Sequence, residues 1–105
     1  MSTPVLFRVW PKSEGGGVLA LFPTHPGTHE AHTCDSYEHV GQHGAADLAG
    51  MIRRTRPATP AQYGPLKREL TRIGYKLRVV HRVTKAMHVL RVSNLRAHGS
   101  RRRTR

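Results

Sequence analysis

The chain is short of acid. Only six of its 105 residues are Asp or Glu, against 18 Lys and Arg, which leaves a formal net charge of +12. It has a single cysteine, Cys34. That excludes an internal disulfide and fits a reducing compartment. Aromatic residues make up 6% and apolar residues 37%, values on the low side but above those of a disordered chain. The length suits one domain around one modest core. No apolar run reaches the ~20 residues that a helix needs to cross a bilayer. Residues 1–8 lack the charged-then-apolar pattern of a secretory leader. The expectation is a cytoplasmic protein without a membrane partner. A Gly-rich phosphate loop, HExxH and GxSxG are all missing, so neither a cofactor nor an enzyme is expected.

What is present is charge, unevenly placed. Residues 1–52 hold Arg8 and Lys12 against Glu14, Glu30, Asp35, Glu38 and Asp47, a balance of −3. Residues 53–105 hold sixteen Lys and Arg against Glu69 alone, a balance of +15, and the two together make the +12 of the chain. Such a density repels itself in a compact domain unless a polyanion neutralises it. Nucleic acid is the commonest cellular polyanion, and its phosphates supply most non-specific affinity for Lys and Arg. A surface kept basic only for solubility fits less well, because mixed charge serves that purpose better.

Local patterns predict an α+β domain over residues 1–97, with about four strands in a small antiparallel or mixed sheet and helices on one face. Val5–Trp10 alternates as a strand, KSEGGG at 12–17 turns, and Val18–Phe22 returns as a second strand ended by Pro23. Residues 24–35 read as a loop and Ser36–Val40 as a short third strand. Ala45–Arg54 predicts a short helix closed before Pro57. Thr59 fits an N-cap, Pro60 the first helical position and Gln62 the third member of a capping box. Tyr63, Leu66, Leu70 and Ile73 then share a stripe, and Gly74 stops the helix. Pro65 implies either a distorted first turn or a regular helix that starts there. Tyr75–Val83 alternates as a strand. A weaker helical pattern covers 84–97, with Ala86, Val89, Leu90 and Ser93 on one side. Residues 98–105 read as a disordered basic tail.

The candidate nucleic-acid contacts are Arg53, Arg54, Arg56, Lys67, Arg68, Arg72, Lys76, Arg78, Arg82, Lys85, Arg91, Arg96, Arg101, Arg102, Arg103 and Arg105. Arg68 and Arg72 fall together on a helix face, while Lys76, Arg78 and Arg82 line one strand face. Backbone recognition is expected, because no helix-turn-helix, RNA-recognition or zinc-finger signature is visible. His25, His29, His32, Cys34, His39 and His43 fall within nineteen residues and suggest zinc by type. Yet Pro26-Gly27 and Gly41 interrupt the two four-residue His spacings, and the expectation is no metal. His39 with Glu38 or Asp47, or Cys34 with a His, could supply an acid–base or nucleophile pair, and two His could act as acid and base on RNA.

Five segments carry a resemblance: LFRVW at 6–10, LALFP at 19–23, SYEHVGQHGAAD at 36–47, TRPATPAQY at 55–63 and ELTRIGYKLRV at 69–79. In this order they resemble a group of small bacterial proteins carried on plasmids, conjugative elements and phage-like islands. Gly64-Pro65 and the Arg-rich tail depart from the pattern. The resemblance implies a mobile-element origin and an α+β fold, and carries no catalytic residue. The expected function is nucleic-acid binding through phosphate contacts of the second half. Two alternatives stand beside it. One is an inhibitor of a host defence complex, anti-CRISPR-like, that binds an acidic protein surface or guide RNA. The other is a homodimer.

Overall fold

The computed structural model describes residues 2–38 and 43–103, with side chains through residue 97. Its elements run β1 (Thr3–Val9), β2 (Val18–Pro26), β3 (Thr33–Tyr37), β4 (His43–Asp47), α1 (Leu48–Arg54), β5 (Arg56–Pro57), α2 (Pro60–Ile73), β6 (Leu77–Val79) and α3 (Lys85–Arg103). The class is α+β. The sheet is mixed and has six strands rather than four, in the order β4-β3-β2-β1, with β5 and β6 both on the outer edge of β1. β6 runs parallel to the start of β1, pairing Pro4 with Arg78, and β5 runs antiparallel to its end, pairing Val9 with Arg56.

Alternation along β1 divides the core in two. Val5, Phe7 and Val9 join Ala20, Phe22 and Tyr37 on one face, and α2 covers them with Leu66 and Leu70. Leu6, Leu19, Leu21 and Cys34 line the other face, against Leu48, Met51 and Ile52 of α1 and against Val80 and Val83. The helices therefore sit on both faces, not one. A sheet apolar on each side exposes its core unless both sides are covered.

Several boundaries differ from the sequence expectation. β2 runs through Pro23 to Pro26, because a register shift between Phe22 and Pro26 lets the prolines pass. β3 starts at Thr33, not Ser36. Ala45 to Asp47 form strand instead of helix, so α1 begins only at Leu48. β6 stops at Val79, because the rest of the β1 edge is taken by β5, and Val83 turns to the opposite core. α2 runs unbroken through Pro65, whose missing bond falls on the carbonyl of the exposed Ala61. The capping box is formed: Gln62 N donates to Thr59 Oγ1 at 3.3 Å, and Thr59 N to Gln62 Oε1 at 2.9 Å. Gly74 closes the helix at φ +125°, a conformation costly for other residues.

In α3 the inward residue is not the expected apolar stripe. Val89 and Leu90 are 56% and 49% exposed, whereas Arg91 is 3% exposed. Unpaired carbonyls at the end of β2 and in the loop after it demand a donor more than a methyl group, and Arg91 supplies several (below). The expected free tail lies outside the described side chains, and so do Arg101, Arg102, Arg103 and Arg105.

Candidate nucleic-acid interface

α2 carries two flanks of opposite character. Gln62, Pro65, Leu66 and Glu69 turn toward the β1–β2 hairpin, where they meet Trp10, Glu14 and Glu38 around a cavity of about 650 Å³. On the other flank, Pro60, Tyr63, Gly64, Lys67, Arg68, Thr71 and Arg72 line a shallow groove of about 570 Å³. The helical period explains the split: positions 62, 65, 66 and 69 recur on one side, and 60, 64, 67, 68, 71 and 72 on the other. Half the acids of the chain thus gather on the first flank, and the groove on the second is lined by three cations and no acid.

Glu69 makes this separation sharp. It is the one acid of the cationic half, yet it accepts a hydrogen bond from the hydroxyl of the buried Tyr37. Its carboxylate is therefore turned under the helix, away from Arg68 and Arg72. Among the described residues no Lys or Arg pairs with a carboxylate; the ion pair present joins His32 to Glu30 at 3.5 Å. The groove also has a firm wall. The Tyr63 ring stacks on Phe7 with centroids 4.5 Å apart. Thr71 Oγ1 donates to the Lys67 carbonyl at 2.8 Å. The Arg68 guanidinium lies along Gly64, with Nη1 3.4 Å from where a Cβ would stand.

The remaining expected contacts are placed as follows. Arg56 and Arg78 are exposed on the β1 edge, in the two strands that α2 connects. Arg78 lies between Leu77 and Val79, both packed toward α2, so alternation sends its side chain to the opposite face. Arg78 therefore does not share a face with the helix cations, whereas Arg56, paired with Val9, falls on the α2 side. Arg53, Lys76, Arg82, Lys85 and Arg96 are exposed. Arg54 is also exposed but lies over the Trp10 ring, 5.8 Å from its centroid. Arg91 leaves the set. Its Nη1 donates to Pro23 O at 2.9 Å and its Nε and Nη2 to Ala31 O, which makes it a structural arginine.

Arg8 is a second buried arginine, counted in the sequence only as a charge of the first half. It donates to Thr55 and to the Ile52 carbonyl, and burial lowers its pKa. Tyr63 and Thr71 line the α2 groove and were not among the candidate residues read from the sequence. A Tyr and a Thr flanking three cations at helical spacing is a signal that could have found them.

The His-rich segment is dispersed by the sheet. Cys34 faces the α1 side, whereas His25 stacks on Phe22 on the α2 side, and His29 and His32 are exposed in the connecting loop. Among the described residues no three His, Cys, Asp or Glu converge as metal ligands. His39 lies outside them. Burial pushes the Cys34 thiol up to about 12, so it stays protonated and is a poor nucleophile. Glu38 accepts from Trp10 Nε1 at 3.0 Å, and His43 Nε2 sits 3.2 Å from the Tyr75 hydroxyl. Asp35 is held above its ordinary pKa by burial, opposed by His25 and His43 nearby. No helix among the described residues is long and apolar enough to cross a membrane.

No protein-family model, curated protein or solved structure matches this chain.

Proposed function

We propose that this is a nucleic-acid-binding protein that grips phosphates through the outer groove of α2, with Lys67, Arg68 and Arg72 as its centre. The observation that carries this reading is the turning of Glu69 onto Tyr37, which leaves three cations along a firm groove with no acid among the described residues that line it. Phosphate oxygens suit such a groove, because each contact releases a condensed counterion. Arg56 and Arg78 extend the positive field along the sheet edge, and the C-terminal arginines extend it further in sequence. Contacts of this kind read backbone, not base. The class is a small basic cytoplasmic protein of a bacterial mobile element, binding DNA or RNA without an enzymatic step. Fluorescence anisotropy of duplex and single-stranded probes across a salt series tests it. The log–log slope should be about −0.9 per phosphate contacted on duplex DNA. Capture of one host defence subunit, with no general affinity for nucleic acid, would replace this reading with that of a defence inhibitor.

A further inference from the structure

The two edges of the sheet are built differently. At the β1 edge the outermost strands are β5 and β6, two and three residues long. They carry Pro57, which has no N–H to offer, and the exposed Arg56 and Arg78. Short strands, proline and arginine are the usual means of blocking further strand addition. The β4 edge has none of these. Its five residues, HGAAD, contain no Pro, Lys or Arg. All five pair inward with β3, from Thr33 opposite Asp47 to Tyr37 opposite His43. Among the described residues the outward backbone groups of β4 have no backbone partner, and every residue but Ala46 is exposed.

We propose that β4 is a dimerisation edge, pairing antiparallel with β4 of a second copy about a two-fold axis at Ala45. The strand is self-complementary in that register. Ala45 meets Ala45, Gly44 meets Ala46, and His43 stands opposite Asp47 of the second copy. The small central residues let the backbones approach, and the flanking pair joins an imidazole to a carboxylate on the same sheet face. A parallel pairing would set His43 against His43 and Asp47 against Asp47.

Charge favours a second copy over another peptide for the same reason. β4 belongs to the half with a balance of −3, while the exposed cations of α2, β5 and β6 belong to the other half. Two chains of +12 can meet here with their basic grooves held apart. The joined sheet would have twelve strands, since each copy contributes six. It would present two α2 grooves to one polyanion. That use of the dimer rests on the proposed function; the pairing itself does not. A five-residue edge buries less than the ~1,200 Å² of a standard interface, so association is weak until a shared ligand raises the effective concentration.

The test is made without nucleic acid, so that failure of the phosphate reading leaves it untouched. In an Ala45→Cys variant the two new cysteines would face each other with Cα atoms about 4.5–5.5 Å apart, inside the ~4.4–6.8 Å range of a disulfide. Cys34 is fully buried and does not compete. Ala49→Cys, exposed on α1 and off the edge, is the control. Mild oxidation should cross-link Ala45→Cys at least about tenfold faster than the control, because paired strands hold a high effective concentration. Sedimentation of the natural chain should show a dimer growing with concentration, and Asp47→Lys should shift it to monomer while the fold survives, its melting temperature lowered by only a few degrees because a cation then sits at the α1 N-cap. A monomer at every concentration overturns the proposal. So does a dimer indifferent to Asp47→Lys, or equal cross-linking of both cysteine variants. If Ala45→Cys fails to fold, the sedimentation of Asp47→Lys decides.

Discussion

Arg91 Nη1 donates to the carbonyl of Pro23 at 2.9 Å and so ties α3 to the end of β2 across 68 positions of sequence. The same guanidinium serves Ala31 O, and Asn94 Nδ2 serves Thr24 O at 2.9 Å. Removing Arg91 leaves the Pro23 carbonyl unpaired in a buried site, whereas the Ala31 carbonyl, on an exposed residue, can turn to water. Arg91→Ala should cost about 1–3 kcal/mol for each acceptor left without a donor. Arg96→Ala, on an exposed arginine of the same helix, should change stability by no more than about 0.5 kcal/mol. Urea titrations of the two variants check this; equal losses would remove Arg91 from its structural role.

Thr59 caps the helix that carries the proposed interface, and Gln62 answers it. Thr59→Ala should destabilise the fold by about 1 kcal/mol. For a domain of this size that lowers the melting temperature by roughly 4–8 °C. Leu70, fully buried beneath the same helix, should cost about 2–5 kcal/mol when cut to Ala. Thermal melts followed by circular dichroism measure both.

Cys34 makes a pH prediction. Its folded pKa is raised to about 12 from a reference of 9.0, chiefly by burial. The unfolded chain loses this proton first, so the contribution is fully present below pH 9.0 and is lost as pH rises toward 12. Over that window the natural chain should lose stability relative to Cys34→Ala, with a limiting slope of about 1.4 kcal/mol per pH unit. A thiol reagent should label Cys34 only as fast as the protein opens. Rapid labelling of the folded chain at pH 8 would contradict the burial.

Legibility in the sequence followed the range of the interaction. The Thr59–Gln62 box, the Gly74 stop and the β1–β2 hairpin depend on neighbours within a few residues, and all three are present, although β2 runs on past Pro23. β4 did not show, because HGAAD lacks alternation and is held as a strand by its register on β3. Helical periodicity pointed Val89 and Leu90 inward, but the carbonyls of Pro23 and Ala31, far away in sequence, drew Arg91 in instead. At the site, the cations of α2 were legible from spacing alone. What isolates them was not: Glu69 meets Tyr37 over 32 positions, and no local pattern marks that contact.

The α2 groove is tested most directly by reversing its charge. Arg68→Glu/Arg72→Glu should melt like the natural chain, since both side chains are exposed and neither pairs with a carboxylate among the described residues. Anisotropy with random duplex DNA and random RNA across a salt series then compares the two proteins. The account predicts weaker binding to every probe by a similar factor, and a log–log slope on duplex DNA shallower by about 0.9 for each phosphate contact removed. Unchanged affinity and slope in a folded double variant would contradict it.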